Sequence, residues 1–105
     1  MKSAIILFWA GTIVLIGAAI AFSLDAVDHG KEVYAMQKCV LCHSISGIGG
    51  KKMALDGIGS RLKSEDIKKW IRTPKEMKPD TTMKSYPNLP EKDLADLAAY
   101  LMTLR

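Results

Sequence analysis

The sequence predicts a small all-α domain that follows a single transmembrane helix. Apolar residues recur at helical spacing in three segments, no stretch alternates in the way of a convincing strand, and one long uncharged apolar block stands near the start. At 105 residues the chain has room for one domain after that block. This length excludes dinucleotide-binding enzymes, barrels, repeat arrays and polytopic membrane proteins.

The apolar block covers residues 4–22, and only Gly11, Thr12 and Gly17 interrupt its apolar side chains. As a helix it would span about 28 Å, close to the thickness of a hydrocarbon core. Residues 19–21, Ala-Ile-Ala, resemble a signal-peptidase site, so a cleaved signal sequence is the alternative. The length of the block favours a retained anchor.

The charges around the block predict its orientation. Lys2 precedes it, whereas Asp25 and Asp28 follow it. Under the positive-inside rule the N-terminus stays in the cytoplasm and the rest of the chain is exported. We therefore expect an anchor over residues 1–23 in the cytoplasmic (inner) membrane, and a domain over residues 24–105 on its periplasmic or extracytoplasmic side.

Three helices are predicted in the exported domain. The first covers about residues 25–38, with Asp25 as a candidate N-cap. The second begins at Ser64 and ends before Pro74, and the third begins at Pro90. The apolar stripe of the third helix has the i, i+3, i+4, i+7 spacing of a buried face: Leu94, Leu97, Ala98, Leu101 and Leu104.

Two long loops separate these helices. Residues 44–63 are rich in glycine, and residues 72–89 contain three prolines. Loops of this length are unusual in so small a domain. The chain is 49% hydrophobic, but much of that share lies in the anchor. Both observations indicate that the loops wrap a large cofactor that completes the apolar core.

The segment Cys-Val-Leu-Cys-His at residues 39–43 is the attachment signature of c-type haem. Two thiols three positions apart can add to the two vinyl groups of one porphyrin edge, and the next residue can turn its imidazole onto the iron. We predict one covalent haem c per chain, with thioether bonds at Cys39 and Cys42 and His43 as the proximal ligand.

Three other uses of these residues agree less well with the sequence. A structural disulfide gives His43 no role, and a thioredoxin-like redox pair expects a βαβ pattern that the sequence lacks. A zinc site needs four ligands, but the other histidine is His29 and there is no third cysteine.

A six-coordinate iron needs a second ligand on the opposite face. Met36 and Met102 fall on predicted helices, and Met53 is too near the attachment site in sequence to reach around the ring. Met77 and Met83 lie in the second loop, which can fold over the far face. Thioether sulfur suits haem iron and raises its reduction potential. The chemistry of the residues leaves both methionines open.

Several segments resemble the class I cytochromes c of bacteria. These are Gly-Lys-Glu-Val-Tyr at residues 30–34 before the haem motif, Trp-Ile-Arg-Thr-Pro at residues 70–74, and the last helix from residue 94. The resemblance covers about residues 25–105. It implies a small cytochrome c fold in which about three helices wrap one haem, with histidine and methionine on the iron, here preceded by a single transmembrane helix.

The resemblance also implies roles for single residues. In the family a small residue, an aromatic residue and a proline-containing stretch typically follow the methionine ligand, and residues 83–89 fit this pattern. This favours Met83 over Met77 as the distal ligand. Arg61 and Trp70 become candidate contacts of the haem propionates. The first and last helices are expected to cross at Gly30.

The sequence also departs from the family at one position near the haem. The family usually has a proline whose carbonyl accepts the N–H of the proximal histidine, and here residues 53–54 are Met-Ala. The group that orients His43 therefore stays open.

Positive charge is concentrated between residues 51 and 84. The net charge of the chain is +4, and this segment has twice as many basic as acidic residues. The segment predicts either a solvated face or a docking face for acidic redox partners. No aromatic–basic platform for nucleic acid is present. The basic residues are Lys51, Lys52, Arg61, Lys63, Lys68, Lys69, Arg72, Lys75, Lys78 and Lys84.

Taken together, these features predict a membrane-anchored monohaem cytochrome that relays single electrons between respiratory or photosynthetic partners. It would act as a tethered shuttle or as a subunit of a larger membrane complex. With His43 and Met83 both on the iron, no position is open for a substrate, so we expect no enzyme activity. The alternative is a haem enzyme or gas sensor with a labile distal ligand.

Overall fold

The computed structural model describes residues 23–105. The predicted anchor over residues 4–22 lies outside this part of the chain. Within residues 23–105, no helix combines the length and the hydropathy that crossing a membrane requires.

The part of the chain that the structure describes is mostly helical. Its α-helices are α1 (Leu24–Met36), α2 (Ile58–Arg61), α3 (Ser64–Arg72), α4 (Pro74–Met77) and α5 (Glu91–Met102). A single 3₁₀ turn covers Cys39–Leu41. The three helices that the sequence predicts correspond to α1, α3 and α5, and they are confirmed with small changes at their ends. The two four-residue helices α2 and α4 were not predicted.

The ends of the helices differ from the prediction for reasons of capping. Ser23, not Asp25, caps α1, because its side chain accepts a hydrogen bond from the Ala26 N–H at 3.1 Å. Pro90 is the N-cap of α5 instead of its first residue. Pro74 ends α3, as predicted, but it also begins α4, since a proline fits the first turn of a helix.

A small sheet follows the 3₁₀ turn, contrary to the expectation of no strand. Its strands are β1 (His43–Ile45), β2 (Ile48–Gly49) and β3 (Met53–Ala54), in the order β2-β1-β3. β1 pairs antiparallel with β2 and parallel with β3, and His43 lies opposite Met53. Strands of two or three residues are too short to show an alternating pattern in the sequence.

The core of the domain is centred on the crossing of α1 and α5. A Cβ atom at Gly30 would collide with the backbone of Asp96, so the absence of a side chain lets the two helices touch. Next to this point the rings of Tyr34 and Tyr100 pack edge to face, with centroids 5.9 Å apart. The predicted crossing at Gly30 is confirmed. The other buried apolar side chains include Val33, Ile67, Ile71, Leu94, Leu97 and Leu101.

A buried carboxylate joins α1 to α5 beside the same crossing. Asp96 is 6% exposed, and its Oδ2 lies 2.7 Å from His29 Nδ1 and 2.8 Å from Lys92 Nζ. The hydrogen bonds from Lys92 and His29 lower the pKa of Asp96 below its ordinary value. The folded state therefore favours the ionised carboxylate.

Replacing Gly30 by alanine tests the helix crossing. We expect Gly30→Ala to lower the free energy of unfolding by about 2–3 kcal/mol, because the added Cβ forces α1 away from α5. Denaturant unfolding of the haem-loaded protein measures this loss. Lys31→Ala, at an exposed position of the same helix, is the matched control and should change the value by less than about 0.5 kcal/mol. Equal effects of both changes would contradict the close contact.

The lowered pKa of Asp96 predicts how stability depends on pH. Because the folded pKa lies below the unfolded one, this stabilisation is present above pH 4 or so and is lost as the pH falls through the folded pKa. We expect Asp96→Asn to be less stable than the wild type at neutral pH, and the gap to close in acid. Urea unfolding from pH 7 downwards measures it, with Asp28→Asn as an exposed control. A gap that stays constant with pH would refute this role.

Candidate functional site

The two cysteines lie where the chain turns out of α1. Lys38 has a left-handed backbone with φ 59°, which redirects the chain into the 3₁₀ turn. Cys39 is half-buried and packs against the core, whereas Cys42 is exposed. Both are free thiols, and the Cys42 N–H donates to the Cys39 carbonyl at 3.2 Å. The turn thus presents two reactive groups on one short segment.

The electrostatics of Cys39 differ from those of a thiol-exchange site. Burial raises the pKa of the Cys39 thiol above its ordinary value. Redox-active cysteine pairs have a lowered pKa, because the thiolate is the nucleophile. The structure therefore gives no support to a thioredoxin-like pair.

His43 begins β1, and a backbone carbonyl orients its ring. His43 Nδ1 lies 3.2 Å from the carbonyl oxygen of Met53. Since a carbonyl only accepts, Nδ1 is the protonated nitrogen that donates, and the lone pair of the neutral ring is on Nε2. Nε2 is thus free to bind a metal. The group that the sequence left open is the carbonyl of Met53.

Backbone hydrogen bonds hold the Met53 carbonyl without a proline ring. The N–H groups of Lys52 and Met53 both donate to the Cys42 carbonyl, at 3.0 and 3.3 Å. The parallel pairing of β1 with β3 places Met53 opposite His43. A carbonyl that orients the free nitrogen of a metal-binding histidine also fixes its tautomer and basicity.

A glycine lets the loop pack directly under the cysteines. A Cβ atom at Gly50 would collide with the Leu41 carbonyl and with Cys42 Cα. The Gly50 N–H donates to the Val40 carbonyl at 2.8 Å and to the His43 carbonyl at 3.1 Å. The glycine-rich loop is therefore a close-packed support of the Cys-x-x-Cys-His segment.

The loop that carries Met83 is pinned to α3. The Tyr86 N–H donates to the Ile71 carbonyl at 2.9 Å, and Arg72 Nη1 donates to the Pro87 carbonyl at 2.8 Å. Arg72 Nη2 also lies 2.9 Å from Glu91 Oε1 at the start of α5. These contacts hold the chain that follows Met83.

Tyr86 places this loop on the same side of the domain as the cysteines. Burial, and after it the charges of Cys39 and Cys42, raise the pKa of Tyr86. The Tyr86 hydroxyl donates to the Gln37 carbonyl at 3.3 Å, just before the 3₁₀ turn. The loop thus returns to the cysteine segment three residues after Met83.

The two candidate distal methionines have different surroundings. Met83 is half-buried in extended chain and packs against the core, and its N–H donates to the Thr81 hydroxyl at 3.2 Å. Met77 is the last residue of α4 and is not among the side chains that pack on this core. Both remain candidates for the iron.

Arg61 and Trp70 lie on different helices. Arg61 ends α2, is exposed, and its Nη1 donates to the Asp56 carbonyl at 3.1 Å. Trp70 is half-buried on α3. No hydrogen bond among residues 23–105 joins the two, and their predicted role at the propionates stays a prediction.

A buried hydroxyl lies close to the attachment site. The Tyr34 oxygen has no hydrogen-bond partner among residues 23–105. Burial, followed by the charges of Cys39 and Tyr100, raises the pKa of Tyr34 to about 12. The hydroxyl thus stays protonated and is an unused donor on the side of the domain that holds Cys39.

Sequence reasoning missed the residues that act through the backbone. Met53 was dismissed as a ligand, although its carbonyl orients His43. Arg72 was named only as a charge of the basic segment and as part of the family-like stretch at residues 70–74, although its guanidinium holds the Met83 loop. The sequence identifies each side chain, but it does not give the direction of a backbone carbonyl.

The donor set fits a haem better than a bare metal ion. No cluster of three or more histidine, cysteine or acidic side chains that could hold a metal ion occurs in residues 23–105. This part of the chain therefore offers no support for a zinc site. One imidazole nitrogen, two free thiols beside it and a half-buried thioether match what a c-type haem requires. Cys39 and Cys42 would hold the porphyrin, with His43 and a methionine toward the iron.

Comparison with known proteins agrees with this chemistry. A family model described as cytochrome c matches residues 27–105, a range that contains all the site residues named above. Cytochrome c oxidase subunit 2 of Alkalihalophilus pseudofirmus is 30% identical over 87 residues. That match covers 74% of this chain and 25% of the relative, so the chain spans about a quarter of the length of that protein.

Proposed function

The chain belongs to the cytochrome c family, carries covalently attached haem c and transfers electrons through it; from this we propose that it is a membrane-anchored monohaem cytochrome whose iron is held by His43 and Met83. It relays single electrons between the redox partners of a respiratory or photosynthetic chain. When bound, the haem supplies an iron that accepts and returns one electron. The protein supplies attachment, ligands and surroundings.

The hydrogen bond between His43 Nδ1 and the Met53 carbonyl is the observation that carries this proposal. It directs the lone pair of Nε2 away from the β1–β3 pair, so that His43 can serve as an axial ligand next to the two cysteines. A solvent-facing histidine without such a partner would leave the tautomer undefined.

The surroundings of Met83 support it as the second ligand. Its loop returns to the cysteine segment through Tyr86 and is fastened to α3 by Arg72. Met77 is the last residue of α4 and does not pack on the core that Met83 and Cys39 share. Two protein ligands leave the iron no position for a substrate, which favours electron transfer over catalysis.

Membrane attachment through residues 4–22 is part of the same proposal. The apolar block supports it, and so does the likeness to a protein named as subunit 2 of a cytochrome c oxidase. We place the haem domain on the periplasmic or extracytoplasmic side. A tethered shuttle and a fixed subunit of a membrane complex are both consistent with these observations.

The exposed lysines support acidic redox partners. Seven lysines between residues 51 and 84 are exposed. The acidic side chains outside this segment lie on α1 and α5. Such a charge distribution attracts an acidic docking face and speeds association at low salt. The seven are Lys51, Lys52, Lys63, Lys69, Lys75, Lys78 and Lys84.

Replacing each candidate methionine tests the iron ligation. We expect Met83→Ala to abolish the near-infrared sulfur-to-iron absorbance band and to lower the reduction potential, because a thioether ligand raises it. The variant should also bind carbon monoxide in the ferrous form. Absorption spectra and redox titration of the purified protein measure all three.

Met77→Ala is the matched control and should keep the band and the potential of the wild type. The reverse result would move the ligand to Met77. If the wild-type iron already binds carbon monoxide readily, the haem enzyme or sensor is the better assignment.

Removing the attachment sites tests how far the fold depends on haem. We expect the double variant Cys39→Ala, Cys42→Ala to lose roughly half or more of its helical signal, because the small apolar core is completed by the cofactor. Far-ultraviolet circular dichroism of residues 24–105 measures it. The haem-loaded domain with Gln37→Ala is a control for substitution near the 3₁₀ turn. Native-like helix content without haem would contradict this dependence.

A further inference from the structure

In the turn between β1 and β2, Ser46 has a positive φ, which is unfavourable for a residue with a side chain. Its two central residues, Ser46 and Gly47, have φ of 51° and 79°. A two-residue hairpin with a type I′ turn needs positive φ at both positions, and asparagine or aspartate followed by glycine is the usual solution. Ser46 is a poor residue for this conformation, so the turn needs support from elsewhere.

Asp56 gives that support from ten positions further along the chain. Its two carboxylate oxygens lie 3.0 and 3.2 Å from the Ser46 backbone nitrogen, which donates to them. A hydrogen bond from an amide to an ionised acceptor is stronger than one between neutral groups. We call this contact the Asp56–Ser46 brace.

The Asp56–Ser46 brace lies next to the two strands, β1 and β3, that bring His43 and Met53 together. The Leu55 N–H, one residue before Asp56, donates to the Ser44 carbonyl at 2.8 Å. Ser44 is the middle residue of β1, opposite Gly49 on one side and Ala54 on the other. The brace therefore holds the free end of β1 against the strand that carries the Met53 carbonyl.

We propose that Asp56 is a positioning residue that keeps the Met53 carbonyl on His43 Nδ1 by bracing Ser46, and so tunes the iron through its proximal ligand. This inference rests on the ligation by His43 proposed above. Asp56 touches neither His43 nor Met53 in any hydrogen bond among residues 23–105, and it acts through the register of β1 and β3.

The expected electronic effect has a definite sign. A hydrogen bond from Nδ1 to a carbonyl makes the imidazole a stronger electron donor, which favours ferric over ferrous iron. Loosening the brace weakens that bond and shifts the reduction potential upwards. Loss of the Asp56 charge shifts it in the same direction, so the test must separate the two effects.

Comparing Asp56→Ala with Asp56→Asn makes this separation in the haem-loaded protein. Both changes remove the same charge, but asparagine retains an acceptor for the Ser46 N–H. We expect the His43 Nδ1 proton to exchange with solvent about tenfold faster in Asp56→Ala than in Asp56→Asn, the factor for one weakened hydrogen bond. Nuclear magnetic resonance of the ferrous protein measures exchange, and redox titration should give Asp56→Ala the higher potential.

Ser46→Gly supplies the rescue. Glycine adopts positive φ without penalty, so the double variant Ser46→Gly, Asp56→Ala should regain the exchange rate of Asp56→Asn. Asp80→Ala, at an exposed carboxylate of the second loop, should leave exchange unchanged. If Asp56→Ala does not acquire haem, the double variant is tested in its place. Failure of the double variant to acquire haem, or fast exchange of its His43 Nδ1 proton, would overturn the proposal.

Two other results have clear meanings. Equal exchange rates and potentials in Asp56→Ala and Asp56→Asn, with a loss of thermal stability only, would show a purely structural role and overturn the proposal. If the spectrum of the ferric wild-type protein lacks paramagnetically shifted resonances of the His43 ring, the proposed ligation itself fails, before any variant is compared.

Discussion

The hydrogen bond between the His43 ring and the Met53 carbonyl is the contact on which the site depends. It leaves Nε2 as the nitrogen that would bind iron in the proposed ligation, and it requires β1 and β3 to stay in register. The short sheet, the glycine packed beneath Cys42 and the brace at Ser46 all serve that register. A small segment of backbone thus sets the geometry around the proposed proximal ligand.

The loop of Met83, the proposed second ligand, is built by a different means. Met83 lies in extended chain without helix or strand, so its position comes from contacts at some distance along the loop. Arg72 on α3 and the Tyr86 hydroxyl supply them by donating to backbone carbonyls. Hydrogen bonds from side chains to backbone carbonyls can fix a loop without regular secondary structure.

The sequence predicted the parts of the molecule that depend on side-chain pattern. The stripe from Leu94 to Leu101 predicted α5, and the Cys-x-x-Cys-His spacing predicted the cofactor. It could not predict the strands of two or three residues or the acceptor of the His43 N–H. These depend on which backbone groups meet in space, and a backbone carbonyl is the same at Met53 as at any other residue. In the sequence, resemblance to the family and not the chemistry of the residues favours Met83 over Met77.

The two parts of the site also differ in the length of chain that lies between the partners of their hydrogen bonds. The contact of His43 with Met53 spans ten residues, whereas that of Tyr86 with Gln37 spans forty-nine. Closing a short loop costs less entropy than closing a long one, and local contacts form sooner. The half that presents the thiols is therefore expected to assemble first, while the methionine loop is still open. This order would leave Cys39 and Cys42 accessible during biogenesis, at the stage when a prosthetic group has to be joined to them.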